Sequence, residues 1–356
     1  MARKLSELQR IPTSGARAVE AFAIDGRELL AIPQLAYDVP GTAAGMNAGD
    51  SNTELLILER QGAEYVAFAT LPAPGGEDAE FFTIADRSFL AVACIRTGSG
   101  PYGYFTDSFI YEWNGTEFEL FQAIPAFAAK QWKHWTIGDR HFLGLAQGLA
   151  LPHFEGRNRD SVIFEWDGSK FGEFQTIPSQ WAYNWHAFEL ADQHFLAHAD
   201  HVGESVLYRW TGSQYLPHQP LLARTGRAFA TFSTYLIVAG LSEPPSVLRW
   251  DGDRFAANGT LDGLGTRELT IVEHDGHTYL IRINFILGTP ADPQPSLTSQ
   301  LYEWRDGFEL LADFPTTGGT DAEVLSVDDG IVFAVSNSLS AEIRFAGETV
   351  IYRLAD

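Results

Sequence analysis

The chain has 356 residues, of which 45% are hydrophobic and 13% aromatic, enough to build a large core. Its formal net charge of −22 argues against nucleic acid and anionic membranes as partners, because both need basic patches, while it permits cationic partners and calcium. One cysteine, Cys94, excludes a disulfide framework and a cysteine metal site, and we expect a buried thiol there.

The chain begins with a segment that has no apolar core. Residues 1–9 therefore do not read as a signal peptide, and no run approaches the roughly 18 apolar residues of a membrane span. We expect a cytoplasmic protein, or a secreted one if a leader was removed.

The first regular elements follow this segment. Residues 17–31 predict two strands of an antiparallel sheet. The connection after them, residues 34–52, is long and rich in Gly, Ala and Pro. A hairpin is expected over residues 54–65, and the next sheet is expected to start at Asp78.

The clearest pattern lies in residues 107–146. Apolar side chains alternate at period two along FIYEW and along FELFQ, as in strands with one buried face. Asn114-Gly115 between them favours a tight hairpin. Further strands are expected at residues 132–137 and 141–146, so we predict one antiparallel four-stranded unit over this stretch.

This pattern recurs along the chain. Copies of SFIYEWNGTEF occur at residues 161–171, 205–215, 246–255 and 300–308, with degenerate copies at 54–65 and 350–354. The tryptophans of successive copies lie 40 to 54 residues apart, the length of a four-stranded propeller blade. We therefore predict an all-β, seven-bladed β-propeller that forms a single domain over residues 1–356.

The two ends of the chain complement each other. Residues 8–12 (LQRIP) match residues 121–125 (FQAIP), which follow the hairpin, and residues 350–354 (VIYRL) match the strand before it. Residues 1–13 are therefore expected to supply the outer strand of the last blade by pairing with the C-terminal strand. Such closure removes exposed sheet edges.

The repeat S-V-I-Y-x-W-[ND]-G-x-x-F-x-x-x-Q-x-I-P, followed by an acidic and aromatic strand, resembles the EAR/EPTP (epilepsy-associated) repeats of the LGI proteins and their relatives. The resemblance implies a β-propeller. It also implies a binding role, because the best-known members of that family act as extracellular ligand-binding modules.

Carboxylates recur at one position of the predicted inner strands, at Glu20, Glu80, Glu268 and Glu323. Two copies add a second acid two residues earlier, Asp78 and Asp321. Residues two apart share a face of a strand, and inner strands surround the channel of a propeller, so these acids would crowd one tunnel. Oxygen ligands from several strands suit calcium. The family resemblance also implies a calcium-containing channel with a D-x-E pattern, from which Lys133 and His186 depart. The alternative is a hydrated, salt-bridged channel with Lys133 and Arg267 as counter-charges.

The predicted connections between the second and third strands differ in length. They are long at residues 34–52, 97–106, 148–159, 288–299 and 337–348, and short at 201–204 and 242–245. Long loops on one face of a rigid scaffold usually display a binding surface. The candidate ligand-binding residues on them are Tyr102, Tyr104, Phe105, His153, Phe154 and Arg157.

Three functions remain open from the sequence, and no nucleotide, hydrolase or zinc-protease motif is present. The first is a non-catalytic propeller that binds a protein, peptide or small ligand at the long-loop face. The second is an enzyme that uses Glu80, His186 and Glu323 for proton transfer at the channel mouth. The third is a carbohydrate-binding propeller whose loop aromatics, with Trp181, stack on sugars.

A metal at His198 and His201 is a further alternative, since imidazole and carboxylate are ligands for zinc or iron. However, Asp200 between them occupies the strand-end position that Gln147, Asn284 and Asn337 hold in other repeats. The repeat alone therefore gives Asp200 a structural explanation.

Overall fold

The computed structural model describes residues 4–150, 158–222, 224–289, 292–327 and 330–355. These residues form strands and connections without any helix, so none of them could cross a membrane as an apolar helix. Cys94 is fully buried and unpaired, as expected.

The strands occur as consecutive antiparallel hairpins. In chain order they are Lys4–Thr13 (β1), Glu20–Ile24 (β2), Arg27–Ile32 (β3), Glu54–Gln61 (β4), Glu64–Pro72 (β5), Gly76–Ile84 (β6), Arg87–Cys94 (β7), Phe105–Trp113 (β8), Phe118–Phe127 (β9), Gln131–Ile137 (β10), Arg140–Ala146 (β11), Ser161–Trp166 (β12), Phe171–Ile177 (β13), Ala182–Leu190 (β14) and Gln193–Asp200 (β15). They continue with Ser205–Trp210 (β16), Tyr215–Leu222 (β17), Gly226–Phe232 (β18), Tyr235–Gly240 (β19), Ser246–Trp250 (β20), Phe255–Thr260 (β21), Thr266–His274 (β22), His277–Asn284 (β23), Leu287–Thr289 (β24), Asp292–Gln294 (β25), Ser296–Trp304 (β26), Phe308–Thr317 (β27), Gly319–Ser326 (β28), Ile331–Asn337 (β29) and Gly347–Ala355 (β30).

Seven four-stranded antiparallel sheets result, and the fold is the predicted seven-bladed β-propeller. Their strand orders are β2-β3-β4-β5, β6-β7-β8-β9, β10-β11-β12-β13, β14-β15-β16-β17, β18-β19-β20-β21, β22-β23-β26-β27 and β28-β29-β30-β1, numbered below as blades 1 to 7. The hairpin β24-β25 extends the connection between β23 and β26.

The sequence-based grouping of residues 107–146 into one sheet is wrong, although its four strands are present. Strands β8 and β9 complete the sheet that starts at β6, and β10 starts the next. Ala128 adopts a positive φ of 50° directly after β9, and the Lys130 N–H donates to the Ala146 carbonyl. The chain thus leaves one blade for the next between the second and third strands of the expected unit.

The two ends of the chain pair as predicted. Strand β1 lies antiparallel to β30, with Lys4 opposite Ala355 and Thr13 opposite Gly347, and it forms the outer edge of blade 7. Ile11 of β1 is buried in the same cluster as Leu30 and Ile351. The N-terminal strand therefore contributes core packing as well as backbone hydrogen bonds.

The repeated Asn-Gly or Asp-Gly pair makes the turn between the third and fourth strands. Gly115 has a φ of 95°, a conformation that glycine adopts without steric cost. The Asn114 side chain accepts hydrogen bonds from the N–H groups of Thr116 and Glu117, which closes the turn.

The repeated glutamine joins neighbouring blades. The amide of Gln175 in β13 donates to the Tyr215 carbonyl and accepts from the Tyr215 N–H at 2.8 and 2.9 Å. Equivalent pairs are Gln9 with Tyr65, Gln122 with Phe171 and Gln219 with Phe255. The repeated Gln of one blade therefore contacts the backbone of the repeated Phe or Tyr in the neighbouring blade.

The repeated tryptophan belongs to a second contact. Arg140 donates two hydrogen bonds to Glu165, and its guanidinium lies about 5 Å from the rings of Phe142, Phe174 and Trp210. Arg87 repeats this arrangement one blade earlier. The repeated spacing of these residues in the two blades thus follows from packing.

The described chain divides into two compact units. Unit 1 comprises Met1–Phe81, Arg96–Gly103 and Gly265–Asp356, and unit 2 comprises Phe82–Ile95 and Tyr104–Leu264. In unit 1, Phe333 stacks on Tyr352 within a cluster of buried residues. In unit 2, Trp132 is fully buried within a cluster of its own. A single domain over the whole chain stays a prediction.

Candidate functional site

The predicted acidic positions all lie on the first strands of sheets in unit 1. Glu20 is in β2, Asp78 and Glu80 in β6, Glu268 in β22, and Asp321 and Glu323 in β28. Glu80 is 8% exposed, and the others are half-buried.

Several of these carboxylates bind the backbone of the neighbouring first strand. Asp321 Oδ2 accepts from the Val19 N–H at 2.9 Å, and Glu20 Oε1 accepts from the Phe81 N–H at 2.8 Å. Asp321 Oδ1 also accepts from the Ala322 N–H, next to it in the chain. These hydrogen bonds thus connect the first strand of blade 7 to the start of blade 1, and the first strand of blade 1 to that of blade 2.

Basic side chains accompany them in unit 1. Arg17 Nε lies 3.7 Å from Glu77 Oε1, and Arg267 Nη1 lies 3.9 Å from Glu268 Oε2. Glu268 Oε1 also accepts from the Leu269 N–H. Arg267 thus lies next to one carboxylate, and its role as a counter-charge of a channel stays a prediction.

The predicted calcium site would have to draw its oxygen ligands from these acids. No group of three or more His, Cys, Asp or Glu side chains in the described ranges is placed to hold a metal ion. Calcium needs six to eight converging oxygens, whereas Glu20 and Asp321 direct oxygens to backbone N–H groups. The donor set therefore does not fit, and calcium stays a prediction.

The histidine of the enzyme hypothesis lies in unit 2. The Nε2 atom of His186 in β14 lies 2.9 Å from the Thr231 hydroxyl in β18. Burial, together with the charge of Lys133, lowers the pKa of His186 to about 4. His186 is therefore neutral near pH 7 and lacks the pKa near 7 that suits a general base or acid at that pH.

The strand-end residue Asp200 has the structural role that the repeat predicts. Its carboxylate accepts from the N–H groups of Gln180, Trp181, Val202 and Gly203. In the same place in other blades, Gln147 accepts from the Phe127 N–H and Asn337 accepts from the Thr317 N–H. Each of these side chains accepts hydrogen bonds from the backbone where the chain enters its own blade.

His198 is also occupied by structural contacts. Its Nε2 lies 3.1 Å from the Ser161 hydroxyl, and its ring packs 4.2 Å from Trp185. Burial lowers its pKa to about 4. These contacts, with the cap at Asp200, disfavour the metal alternative at His198 and His201.

The candidate ligand-binding residues divide into three groups. Tyr102 is tied into a loop described below. Phe105 is 50% exposed, packs against Phe127 and lies under the Arg159 guanidinium, whereas Tyr104 is half-buried. His153, Phe154 and Arg157 lie outside the described residues.

The connections between the second and third strands of blades 1 and 2 hold each other. The Arg96 guanidinium stacks 3.7 Å from the centre of the Tyr102 ring and donates to the Asn47 and Ala48 carbonyls. The Tyr102 hydroxyl donates to the Gly49 carbonyl at 2.8 Å. These bonds fix residues 96–103 against residues 47–49.

The corresponding connection of blade 7 joins the same assembly. Arg344 Nη2 donates to the Thr42 carbonyl at 2.9 Å, and the Phe345 N–H donates to Asp38. The Ser14 hydroxyl lies 3.0 Å from the Phe345 carbonyl. We call residues 33–53, 96–103 and 338–346 the loop platform, and all of it lies in unit 1.

Two clefts adjoin the loop platform. One, of about 720 Å³, is lined by Arg10, Tyr37, Asp38, Leu339 and Glu348, among others. The second, of about 620 Å³, is lined by Val39, Pro40, Ser340, Glu342 and Arg344, among others. Both combine apolar surface with charges of either sign.

The sequence predicted where the long loops occur but not the contacts that hold them together. Arg96 and Arg344 could not be identified from the sequence, because each donates to backbone carbonyls of another loop and no motif or spacing marks such a contact. The richness of residues 34–52 in Gly, Ala and Pro was the only available hint, since a backbone with small side chains leaves carbonyls accessible.

Comparison with known proteins identifies the repeats. A family model described as the EPTP domain matches residues 64–114, 117–167 and 170–211. The "Thrombospondin-type laminin G domain and EAR repeat-containing protein" of Homo sapiens is 37% identical over 111 residues, 29% of this chain and 16% of that protein. The Mus musculus protein of the same name is 33% identical over 145 residues, 38% of this chain and 20% of that protein. The matched segments thus span a fifth or less of these relatives.

Among solved structures, the crystal structure of BBS1N in complex with ARL6DN resembles this chain over its whole length. The match has a TM-score of 0.63 and covers 99% of this chain and 98% of that one. The sequences are 10% identical, so the likeness concerns the fold alone.

Proposed function

Because this chain belongs to the EPTP (EAR-repeat) family, we propose that it is a non-catalytic binding propeller that recognises a protein or peptide through the loop platform. The observation that carries the proposal is that three separate connections are locked together by side-chain to backbone hydrogen bonds. A surface ordered before binding loses less conformational entropy when a partner arrives.

The clefts favour a peptide or protein over a highly charged polymer. Tyr37 and Val39 offer apolar contact, while Arg344 and Asp38 bring opposite charges into the same area. Protein interfaces commonly combine an apolar centre with a polar rim. The net charge of −22 opposes nucleic acid at the same surface.

Selection of peptides from a random phage-displayed library tests the proposal. We expect the chain to enrich peptides whose affinity falls at least about tenfold in a Val39→Glu variant, because a buried carboxylate without a partner opposes binding. Val39 is half-buried in the second cleft.

Val327→Glu is the matched control, because Val327 is an exposed valine in the same unit but lies in the connection between the first two strands of blade 7. Equal affinity of the selected peptides for the parent and Val39→Glu would exclude the platform as their site. Failure to enrich any peptide would contradict a peptide-binding role.

The carbohydrate alternative stays a prediction. Phe105 offers an exposed ring, but Tyr102 uses its hydroxyl and its ring face inside the platform. Binding of the chain to a glycan array, lost in Phe105→Ala, would favour that alternative over the proposal.

A further inference from the structure

The two clefts beside the loop platform form one continuous groove in unit 1. Asp38, Ser340 and Ala346 line both clefts, so the groove runs from the start of the last strand of blade 7 onto the connection of blade 1. Volumes of about 720 and 620 Å³ leave room for several residues of a peptide.

Carboxylates outnumber guanidinium groups along the second cleft. Asp38 and Glu342 line it together with one cation, Arg344, which donates to the Thr42 carbonyl. Asp38 accepts one hydrogen bond, from the Phe345 N–H at 3.3 Å. Glu342 is exposed, and no side chain in the described part of the protein forms a hydrogen bond or ion pair with its carboxylate. This cleft therefore offers carboxylate oxygens to a cation.

The charged residues that line the first cleft include a pair that neutralises itself. Arg10 donates to Glu348 at 2.7 Å and also makes two hydrogen bonds to Glu7 at 2.6 and 2.7 Å. These contacts leave Arg10 little capacity for an anionic ligand. The net charge of −22 adds a long-range attraction for cations, so the groove favours a cationic ligand over an anionic one.

A buried hydroxyl beside the first cleft has no hydrogen-bond partner. Thr13 lines this cleft and is 7% exposed, and its Oγ1 makes no hydrogen bond. In blades 3 and 6 the hydroxyl that follows the repeated proline is paired, since Ser179 lies 3.1 Å from Ser161 and Thr316 lies 2.8 Å from Ser299. Buried polar groups are nearly always satisfied, so Thr13 indicates a ligand that donates or accepts a hydrogen bond there.

The turn that carries Glu342 is held in one conformation. The Ser340 N–H donates to the Arg344 carbonyl at 2.8 Å, and the Ile343 N–H donates to the Ser340 carbonyl at 3.0 Å. Ile343 has a φ of 60°, a region that β-branched residues avoid, and such strain persists where the surrounding structure enforces it. The backbone at Glu342 is thus positioned before a partner arrives.

We propose that the segment bound by the loop platform carries a lysine or arginine next to an apolar side chain, an inference that rests on the proposed function. The cation pairs with Glu342 and Asp38, to which it donates charge-assisted hydrogen bonds. The apolar side chain lies against Pro12 and Tyr37, which line the first cleft and are exposed. A backbone N–H or carbonyl of the segment bonds to the Thr13 hydroxyl, which can both accept and donate.

Selection from two phage-displayed libraries, one random and one built without Lys and Arg, tests the proposal on the full chain. The random library should yield peptides rich in Lys or Arg whose affinity falls by about threefold or more in Val39→Gln, which removes apolar contact without adding charge. The library without Lys and Arg should yield no peptide that depends on Val39.

Charge variants identify the site of the cation. Glu342→Gln should weaken an enriched peptide by about three- to fivefold, and Glu342→Gln combined with Asp38→Asn by about tenfold or more. Replacing the basic residue of the peptide by Gln should remove most of the effect of Glu342→Gln, as expected for two groups in direct contact. Glu64→Gln is the matched control, because Glu64 is an exposed glutamate of the same unit at the opposite end of β4 from the loop platform. It should change the affinity less than about twofold.

Thr13→Val tests the unpartnered hydroxyl and should weaken the peptide by about threefold or more. Thr349→Val is its control, because the Thr349 hydroxyl is also buried without a partner but Thr349 lines neither cleft. It should leave the affinity unchanged. Neither variant removes a hydrogen bond, so neither should lower the melting temperature.

Equal yields of Val39-dependent peptides from both libraries would overturn the assignment of a cation and leave the proposed function intact. Absence of such peptides from both libraries would contradict the proposed function and this inference with it. An equal loss in Glu64→Gln would show that general electrostatics, rather than Glu342 and Asp38, selects the cation. An unchanged affinity in Thr13→Val would overturn the role of that hydroxyl.

Discussion

The first strands of the two units occupy the same place in their sheets but differ in charge. Those of unit 1 carry eight Asp or Glu side chains and one arginine, Arg267. Those of unit 2 carry one carboxylate, Glu189, with Lys133, Arg227 and the histidines His134 and His186. In unit 1, Glu20 and Asp321 accept hydrogen bonds from neighbouring backbone N–H groups, whereas in unit 2 the Arg227 guanidinium stacks 3.8 Å from the centre of the Tyr183 ring and donates to His201 Nδ1. The repeat thus fixes the backbone and allows the side chains of these strands to diverge.

The backbone contacts give the unit 1 acids a structural role. A carboxylate that accepts a backbone N–H at 2.8 to 2.9 Å, as Glu20 and Asp321 do, stabilises the fold and has less capacity for a ligand. We therefore expect substitutions of Glu20 and Asp321 to change stability, and those in the loop platform of the same unit to change binding.

Removal of residues 1–13 should have the largest effect and should separate the two units. The truncated chain loses all pairing with β30, the Gln9 contact to Tyr65 and the buried Ile11 side chain. We expect a loss of several kcal/mol, because burial of Ile11 alone contributes about 2 kcal/mol or more.

Hydrogen exchange followed by mass spectrometry measures this effect in each unit. Amides of β28 to β30 in unit 1 should lose protection before those of β10 to β13 in unit 2. Loss of protection to the same extent in both units would show that residues 1–13 stabilise both units equally.

Arg140→Gln should destabilise unit 2 by about 1–2 kcal/mol. The change removes a two-bond contact to Glu165 and the packing of the guanidinium on three aromatic rings, although both side chains are about a third exposed and partly screened by solvent. Urea unfolding measures the change in free energy, with Arg254→Gln as a control expected to lie within about 0.5 kcal/mol of the parent. If Arg140→Gln left the free energy of unfolding unchanged, the repeated contact of this arginine with a glutamate and three aromatic rings would not contribute to stability.

Acid should destabilise the fold through its buried histidines. Burial holds the folded-state pKa of His198 at about 4, below the value of about 6.5 in the unfolded chain, so unfolding takes up a proton between these values. The stability contribution is fully present above pH 6.5 and is lost as the pH falls toward 4.

His198→Asn should therefore reduce the drop in unfolding free energy between pH 7 and pH 5 by roughly 1–2 kcal/mol. Denaturant unfolding at both pH values gives this difference. His194→Asn, at a partly exposed position of the same strand, is the control. An unchanged pH dependence in His198→Asn would show that His198 takes up its proton in the folded state as well.

Calcium should produce the smallest effect. The described carboxylates of unit 1 form no group that could hold a metal, so calcium at about 5 mM, above the dissociation constants of about 0.1–1 mM of weak extracellular sites, should leave the melting temperature unchanged. A rise that disappears in both Glu80→Gln and Glu323→Gln would instead establish the calcium site that the sequence suggested.

The sequence was sufficient for the fold because its signal is repeated. The repeated Trp and Gln each take part in a contact that recurs between blades, as Gln175 does with Tyr215 and Trp210 does with Arg140. The acidic positions were likewise placed on the correct strands. The partners of those acids could not be predicted, because Asp321 bonds to the backbone at Val19, roughly 300 positions away in the chain, where residue type carries no information.

The loop platform was harder to predict for a related reason. It depends on arginines that bond to carbonyls of other loops. Trp181, singled out as a possible stacking residue, packs edge-on against His201 with ring centres 5.0 Å apart.

Hydrogen exchange at the loop platform of the free protein tests the account most directly, since the proposed function requires that surface to be ordered before a partner binds. Tyr37 and Asp50 form two backbone hydrogen bonds, in which the N–H of each donates to the carbonyl of the other at 2.8 Å. The Ser51 N–H donates to the Gly98 carbonyl, and the Thr97 N–H donates to the Gly103 carbonyl. These four amides should exchange at least about a hundredfold more slowly than an unstructured chain, which corresponds to local opening of about 3 kcal/mol. Exchange at the unstructured rate would show that the connections are independent loops and would contradict a preformed binding surface.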